Sequence, residues 1–172
     1  MQARLQLQVS EAFEVSCQRA KKGSAKRIEQ EDCKAFWDTE AIHYAAKQGC
    51  YVFALKASKG YTPWYVGKTK KQDFKKECFG SFQLGKYNKA LFGHKGKPVI
   101  FFVAGAGNKN VLPREVVHEL EHFLIQQGHY ENADLLNKAN ARQPEWGIKG
   151  VLRSGKGKPD TPSNTFRKMM GI

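Results

Sequence analysis

Leu5, Leu7 and Val9 alternate with polar neighbours, the period-two pattern of a strand with one covered face. Phe13 and Val15 repeat the alternation briefly and predict a second short strand or turn. Over residues 26–47 the apolar positions Ile28, Phe36, Trp37, Ala41, Tyr44 and Ala45 read as the buried face of a helix, with Gly49 placed as its terminating glycine. Residues 50–56 and 64–67 are β-rich and separated by the turn-forming stretch 58–63, which predicts a hairpin with a rather long loop. Residues 70–91 read as partly helical, interrupted at Gly80 and Gly85. Residues 99–104 form the most apolar segment and predict the centre of the sheet. Pro113 suits the first turn of a helix ending near Gly128. Residues 146–153 alternate again, 155–163 are a Gly/Pro/Lys linker, and 165–170 read as a short helix. The middle of the chain is therefore β-β-α-β-α, which predicts an α+β fold. Residues 49–140 form its core, with an N-terminal extension (1–48) packed on it and a C-terminal extension (141–172).

Composition sharpens this outline. Eleven Phe, six Tyr and three Trp in 172 residues supply enough bulky apolar material for one ordinary core. The net charge of +13, from 29 Lys and Arg against 16 Asp and Glu, favours a polyanionic partner, because neutralising phosphates releases counterions. No apolar run approaches membrane-spanning length and the first nine residues have no leader-like core, so a soluble cytoplasmic protein is expected. Cys17, Cys33, Cys50 and Cys78 contain no C-x-x-C pair, which leaves neither a zinc knuckle nor a redox motif and predicts reduced, mostly buried thiols.

Two segments carry candidate chemistry. His118-Glu119-Leu120-Glu121-His122 matches the H-E-x-x-H pattern of zinc peptidases, with the two His at i and i+4 and Glu119 as general base. On a helical wheel, however, Val116, Val117, Leu120, Phe123 and Leu124 share one face, and His118 and His122 point away from it toward solvent. The downstream acids Glu131 and Glu145 offer no convincing third ligand. A zinc peptidase is therefore the weaker reading. The same wheel sets Glu119 and Glu121 on the flanks of the apolar face, where either could reach a site beside the sheet.

The second segment is the hairpin that carries Tyr51 and Tyr65, with Lys68 just beyond. Phosphodiester hydrolysis needs an activated water, a cation against the developing charge and help for the leaving oxygen. A tyrosine can act as base if a neighbouring ammonium or divalent cation lowers its pKa from about 10. Two Tyr, one Lys and one carboxylate are a chemically sufficient set.

These residues also resemble a known family. Gly49-Cys50-Tyr51 is similar to the first element of the GIY-YIG endonucleases, and Tyr65-Val66-Gly67-Lys68-Thr69 to the second with its usual Lys. Glu121, three residues ahead of Leu124-Ile125, resembles the family's metal-binding Glu. The segment from Asn132 to Asn137 resembles the one whose Asn closes the site. The match runs from 49 to 137, and residues 146–154 and 166–171 are more loosely similar to C-terminal extensions in some branches. The resemblance implies a metal-dependent endonuclease acting on nucleic acid, DNA foremost. Tyr51 or Tyr65 would be the base, with Lys68 lowering its pKa. Glu121 would hold one Mg²⁺ or Mn²⁺, and Asn137 would orient a catalytic group or phosphate. It also selects Glu121 over Glu119.

The chain departs from the family at one place, the Arg on the first helix after the second motif. Lys70, Lys71, Lys75 and Lys76 stand there instead, and a Lys neutralises phosphate without the bidentate fork of an Arg. Lys76 is the substitute candidate, and Glu77 is either a second metal ligand or an ion-pair partner. The departure admits a second reading, a catalytically weak or inactive nucleic-acid-binding protein on the same fold. Lys70, Lys71, Lys75, Lys86 and Lys89 are the expected backbone contacts. Tyr61, Trp64, Phe79, Phe82 and Tyr87 lie among them as stacking candidates, Trp64 and Phe79 reading better as core. A homodimer stays open.

Overall fold

Val99, Ile100, Phe102, Val103 and Ala104 are all buried because the strand that carries them is covered on both faces and paired on both sides. The computed structural model describes residues 5–19, 26–139, 147–152, 154 and 157–171. Two units are distinguished, Met1–Ala141 and Arg142–Ile172.

In the first unit the elements run β1 (Leu7–Val9), β2 (Phe13–Glu14), β3 (Gln18–Arg19), β4 (Lys26–Arg27), α1 (Gln30–Phe36), a 3₁₀ segment (Glu40–Tyr44), β5 (Gly49–Ala57), β6 (Gly60–Lys68), α2 (Phe74–Glu77), α3 (Ser81–Leu91), β7 (Lys97–Gly105) and α4 (Arg114–Glu131). The main sheet has the order β1-β7-β5-β6, with β2 also on β7 and the described pairings antiparallel. This is the expected α+β class with the expected β-β-α-β-α order. β1 and β2 join the core's own sheet, β3 and β4 form a separate two-stranded one, and β7 sits inside the main sheet as its composition requires.

Strand parity sorts the core into two layers. Tyr51, Phe53 and Leu55 of β5 share a face with Ile100 and Phe102 of β7, against Phe36, Trp37, Phe74 and Tyr87. Phe102 stacks on Tyr44 at 5.4 Å and on Trp37 at 5.9 Å, and Phe53 stacks on Tyr87 at 4.2 Å between ring centroids. On the opposite face Cys50, Val52 and Val66 meet α4 and Leu135.

Several sequence expectations are corrected. The helix expected over 26–47 is three pieces. Lys26–Arg27 pairs with Gln18–Arg19. Glu29 and Asp32 then form a reciprocal capping box that starts α1. Finally the Thr39 hydroxyl accepts from Ala41 N and starts the 3₁₀ segment. Gly49 does not end a helix but opens β5, at φ 153°, with its Cα packed against the carbonyl of Val103, where any side chain would collide. The β5–β6 loop is only Ser58 and Lys59. Pro63 lies inside β6, which an edge strand tolerates, and the register shift beside it leaves Trp64 as a bulge residue. Gly80 separates α2 from α3 as expected, but Gly85 lies within α3. α4 runs past Gly128, whose bare Cα lets Leu135 pack against the helix.

The chain after α4 closes the middle of the free edge of β6. Asn132 Nδ2 donates to Pro63 O (2.8 Å), Leu136 N donates to Trp64 O (2.9 Å), and Asn137 both accepts from Val66 N and donates to Val66 O (2.8 Å each). Strand-edge groups that would face water are thereby paired.

In the second unit, Ile148 and Leu152 form an isolated antiparallel bridge, and α5 (Thr161–Met170) begins four residues earlier than expected. Asp160 caps it, accepting from Ser163 N at 2.9 Å. Trp146, Arg153, the basic loop 21–24 and part of the linker 155–163 lie outside the described residues.

Two glycines give opposite expectations. Gly67→Ala would drive a methyl into the Tyr51 ring and should destabilise by about 1–3 kcal/mol. Gly85→Ala, in open space within α3, should stabilise by roughly 0.5–1 kcal/mol. Urea unfolding of both variants checks the pair; a harmless Gly67→Ala would contradict the packing described.

Candidate active site

Antiparallel register puts Tyr51 opposite Gly67, and the Tyr51 ring lies over the space a Gly67 side chain would fill. Tyr51 is thus pinned beneath the second strand, edge-on to Phe74. Two residues before Gly67, Tyr65 is on the same face by strand alternation. Lys68 has the opposite parity and points to the α4 face. Around this end of β6 opens a cleft of about 560 Å³ whose walls include Tyr51, Tyr65, Lys68, Glu77, Glu121 and Asn137. Five of the six expected catalytic residues are therefore brought together.

Lys68 makes two short polar contacts in the cleft. Its Nζ lies 2.6 Å from Glu121 Oε2 and 2.8 Å from His118 Nδ1. Glu121 gets there because the packed face of α4 is centred differently from the expected one. Val117, Ile125 and Gly128 are the buried positions, and Phe123 is exposed. Glu121 therefore lies on the packed face itself, not on its flank, and Glu119 is exposed. The same rotation turns His118 into the cleft, although its side chain stays largely exposed. His118 was missed as a site residue; its signal was the i, i+3 spacing to Glu121.

Both phenols resist ionisation. Burial pushes Tyr65 up to about 12, and the negative charge of Glu121 adds to this. Burial also raises Tyr51 well above its ordinary value, against a hydrogen bond with Gln83 that favours the charged form. The expectation that Lys68 lowers a tyrosine pKa is not met. Its ammonium is engaged by Glu121, and what reaches Tyr65 from that pair is the carboxylate's charge.

Three further expectations change. Lys76 is outside the cleft. Phe74 of the short α2 and Cys78 just past its end are buried, which turns Lys75 and Lys76 to the other side, where they line a separate cavity with Trp37 and Phe79. Lys70 and Lys86 are the cations of the expected set that line the cleft, while Lys71 and Lys89 are exposed elsewhere. Glu77 forms no ion pair among the described residues; its Oε1 accepts the backbone N–H groups of Lys70 (3.0 Å), Lys71 (3.2 Å) and Gln72 (3.3 Å). It organises the loop leaving β6. The Asn137 carboxamide is used on both sides by Val66, so its place at the wall is a consequence of closing the strand edge.

Arg114, at the start of α4, lines an adjoining cavity with Lys68, Lys70 and His118. It is a basic group beside the cleft that the sequence reading did not single out, because it precedes Glu121 on a different helix from the expected Arg.

The donor set decides which metal the cleft suits. His118 and His122 lie 4.3 Å apart between ring centroids, yet His118 Nδ1 already bonds Lys68, and Glu131 is exposed at the far end of α4. Glu145 lies outside the described residues. Among the described residues no three His, Cys, Asp or Glu could hold an ion together, which does not fit a closed tetrahedral zinc site. The Glu121 carboxylate at an open cleft does fit Mg²⁺ or Mn²⁺, which keep most of their water and use one or two carboxylates plus substrate phosphate.

No family model, curated protein or solved structure matches the chain. No helix among the described residues is long and apolar enough to cross a membrane.

The raised phenol has a thermodynamic consequence. Between the ordinary value of 10 and about 12, folded protein keeps the Tyr65 proton that the unfolded chain releases. Unfolding free energy should therefore fall as pH rises through that window. Tyr65→Phe should flatten the alkaline slope relative to the parent in urea titrations at pH 9–12; an unchanged slope would contradict the assignment.

Proposed function

We propose that this chain is a metal-dependent endonuclease of the GIY-YIG type, hydrolysing phosphodiester bonds in nucleic acid, with DNA the foremost substrate. The observation that carries the reading is convergence: Tyr51, Tyr65, Lys68, Glu121 and Asn137, drawn from three separate parts of the chain, line one cleft. The two motif glycines support it, since each has a steric reason to be glycine. The charge of +13 supports an anionic polymer as substrate.

Lys70 and Lys86 are placed to neutralise the backbone at the cleft, each as a point charge. Lys68 holds Glu121 oriented while no anion is present. The Tyr65 hydroxyl is protonated in the free protein and donates a hydrogen bond toward the phosphate or its water; once its pKa is brought down it releases that proton to solvent, and the phenolate oxygen then takes a proton from the attacking water. Tyr51, deeper and bonded to Gln83, positions rather than exchanges protons. Glu121 would hold Mg²⁺ or Mn²⁺, which supplies positive charge against the phosphate and lowers the proton affinity of nearby water and phenol.

A second reading, nucleic-acid binding without cleavage, is favoured by one observation. In the free protein both phenols are held protonated and the carboxylate is tied to Lys68.

Nicking of supercoiled plasmid, with single strands and RNA in parallel, tests both. Cleavage should require Mg²⁺ or Mn²⁺ and fall by about 10²–10⁴-fold in Tyr65→Phe and Glu121→Gln. Lys76→Ala should cut like the parent. Metal-dependent cutting that survives both site variants would sink the assignment, and salt-sensitive binding without cutting in any metal would establish the second reading.

A further inference from the structure

Phe82 is 64 % exposed, at the start of α3 and in the wall of the same cleft. Its position follows from the phase of α3, whose packed residues are Leu84, Tyr87, Ala90 and Leu91. Phe82 falls outside that stripe, so its ring faces the opening. Lys86, one turn further on, sets its Nζ 5.1 Å from the ring centroid and also lines the cleft.

The other aromatic residues considered for stacking are otherwise engaged. Tyr87 is fully buried and stacked on Phe53. Phe79 packs edge-on to Phe36, Trp37 and Tyr87. Trp64 is buried with its ring against His94. Tyr61 is exposed, but lies beside Phe101 near the tip of the hairpin. Strand rise sets that tip about 25 Å from Lys68. Phe82 is thus the aromatic among these five that presents an open face beside the candidate catalytic groups.

We propose that Phe82 is the stacking platform for an unpaired nucleobase next to the phosphate held in the cleft. Lys70 and Lys86 meet the adjoining backbone charge. The proposal rests on the nucleic-acid reading of the cleft and narrows its substrate class to single-stranded or locally unpaired nucleic acid. Within a duplex both faces of a base are covered by its neighbours, so the ring can engage only where a base is unstacked, at an end, gap, bulge or flap. An aromatic face accepts any base, which makes the platform independent of sequence.

The test uses the full chain in EDTA, so binding is read without cleavage. The probes are a fluorescently labelled mixed-sequence DNA single strand, an abasic strand of the same length and a blunt duplex. Phe82→Ala should weaken binding of the base-bearing strand about tenfold and leave the abasic strand unchanged. Phe82→Trp should retain parental affinity, and its added indole emission should be quenched by the base-bearing strand but not the abasic one. The proposal is overturned if Phe82→Ala binds the base-bearing strand like the parent. Equal weakening of the abasic strand, an unresponsive new indole or absence of binding to any probe would overturn it too. Cleavage in a separate Mg²⁺ assay with a failed stacking test would leave the nuclease reading standing alone. Stacking without cleavage would do the reverse.

Discussion

The structure turns on a ring lying where a side chain is missing. Tyr51 of β5 crosses over Gly67 of β6, directly opposite in register. At the head of the same strand, Gly49 allows β5 to approach the carbonyl of Val103 on β7. Together these contacts lock the central strand against both neighbours and leave no freedom for a one-residue slip, which would reverse every side chain between the two faces. Tyr51, Phe53 and Leu55 would leave the aromatic layer, and Cys50 and Val52 would leave α4. The architecture of the candidate site is therefore inseparable from the register of the sheet.

The parity of β6 splits the chemistry between faces. Tyr65 belongs to the layer with α3, and Lys68 to the layer with α4. The cleft joins them around the strand's end, so hydroxyl and ion pair approach from different sides. On the proposed reading the free protein is a resting arrangement. Lys68 and Glu121 satisfy each other, and the phenols are neutral. An incoming phosphate competes with Glu121 for the ammonium, and whatever weakens that pair also changes the charge that Tyr65 senses. Substrate binding and proton affinity are thereby linked through one carboxylate.

Much of this was legible in the sequence where local pattern and tertiary context agree. The apolar run at β7 announced an interior strand, and the tyrosine hairpin was read with both tyrosines on adjacent strands. Legibility failed where a side chain overrode periodicity. Apolar spacing suggested one long helix from Lys26, but the Glu29–Asp32 cap and the Thr39 hydroxyl divide that stretch, and Lys26 is taken into an antiparallel pair with Arg19. The wheel of α4 was rotated because Phe123 counted as core, although it is 56 % exposed. That misplacement put Glu121 on a flank and hid His118. Lys76 was chosen by its proximity in sequence, while a four-residue helix anchored by Phe74 decides the side to which it turns. Asn137 was located by resemblance alone, and its partner at Val66 is 71 residues away.

That partner gives the segment after α4 a meaning beyond the site. A β-sheet has no intrinsic end, since an unpaired strand offers the same donors and acceptors to any other extended chain as to its own. Asn132, Leu136 and Asn137 occupy those positions on β6 with side-chain amides and one backbone N–H, groups that cannot themselves be extended into another ladder. The sheet edge is thus capped along Pro63–Val66. Strand addition is blocked along that stretch, beside the cleft; on the proposed reading, the cleft can receive an extended polymer without inviting a protein strand to pair there.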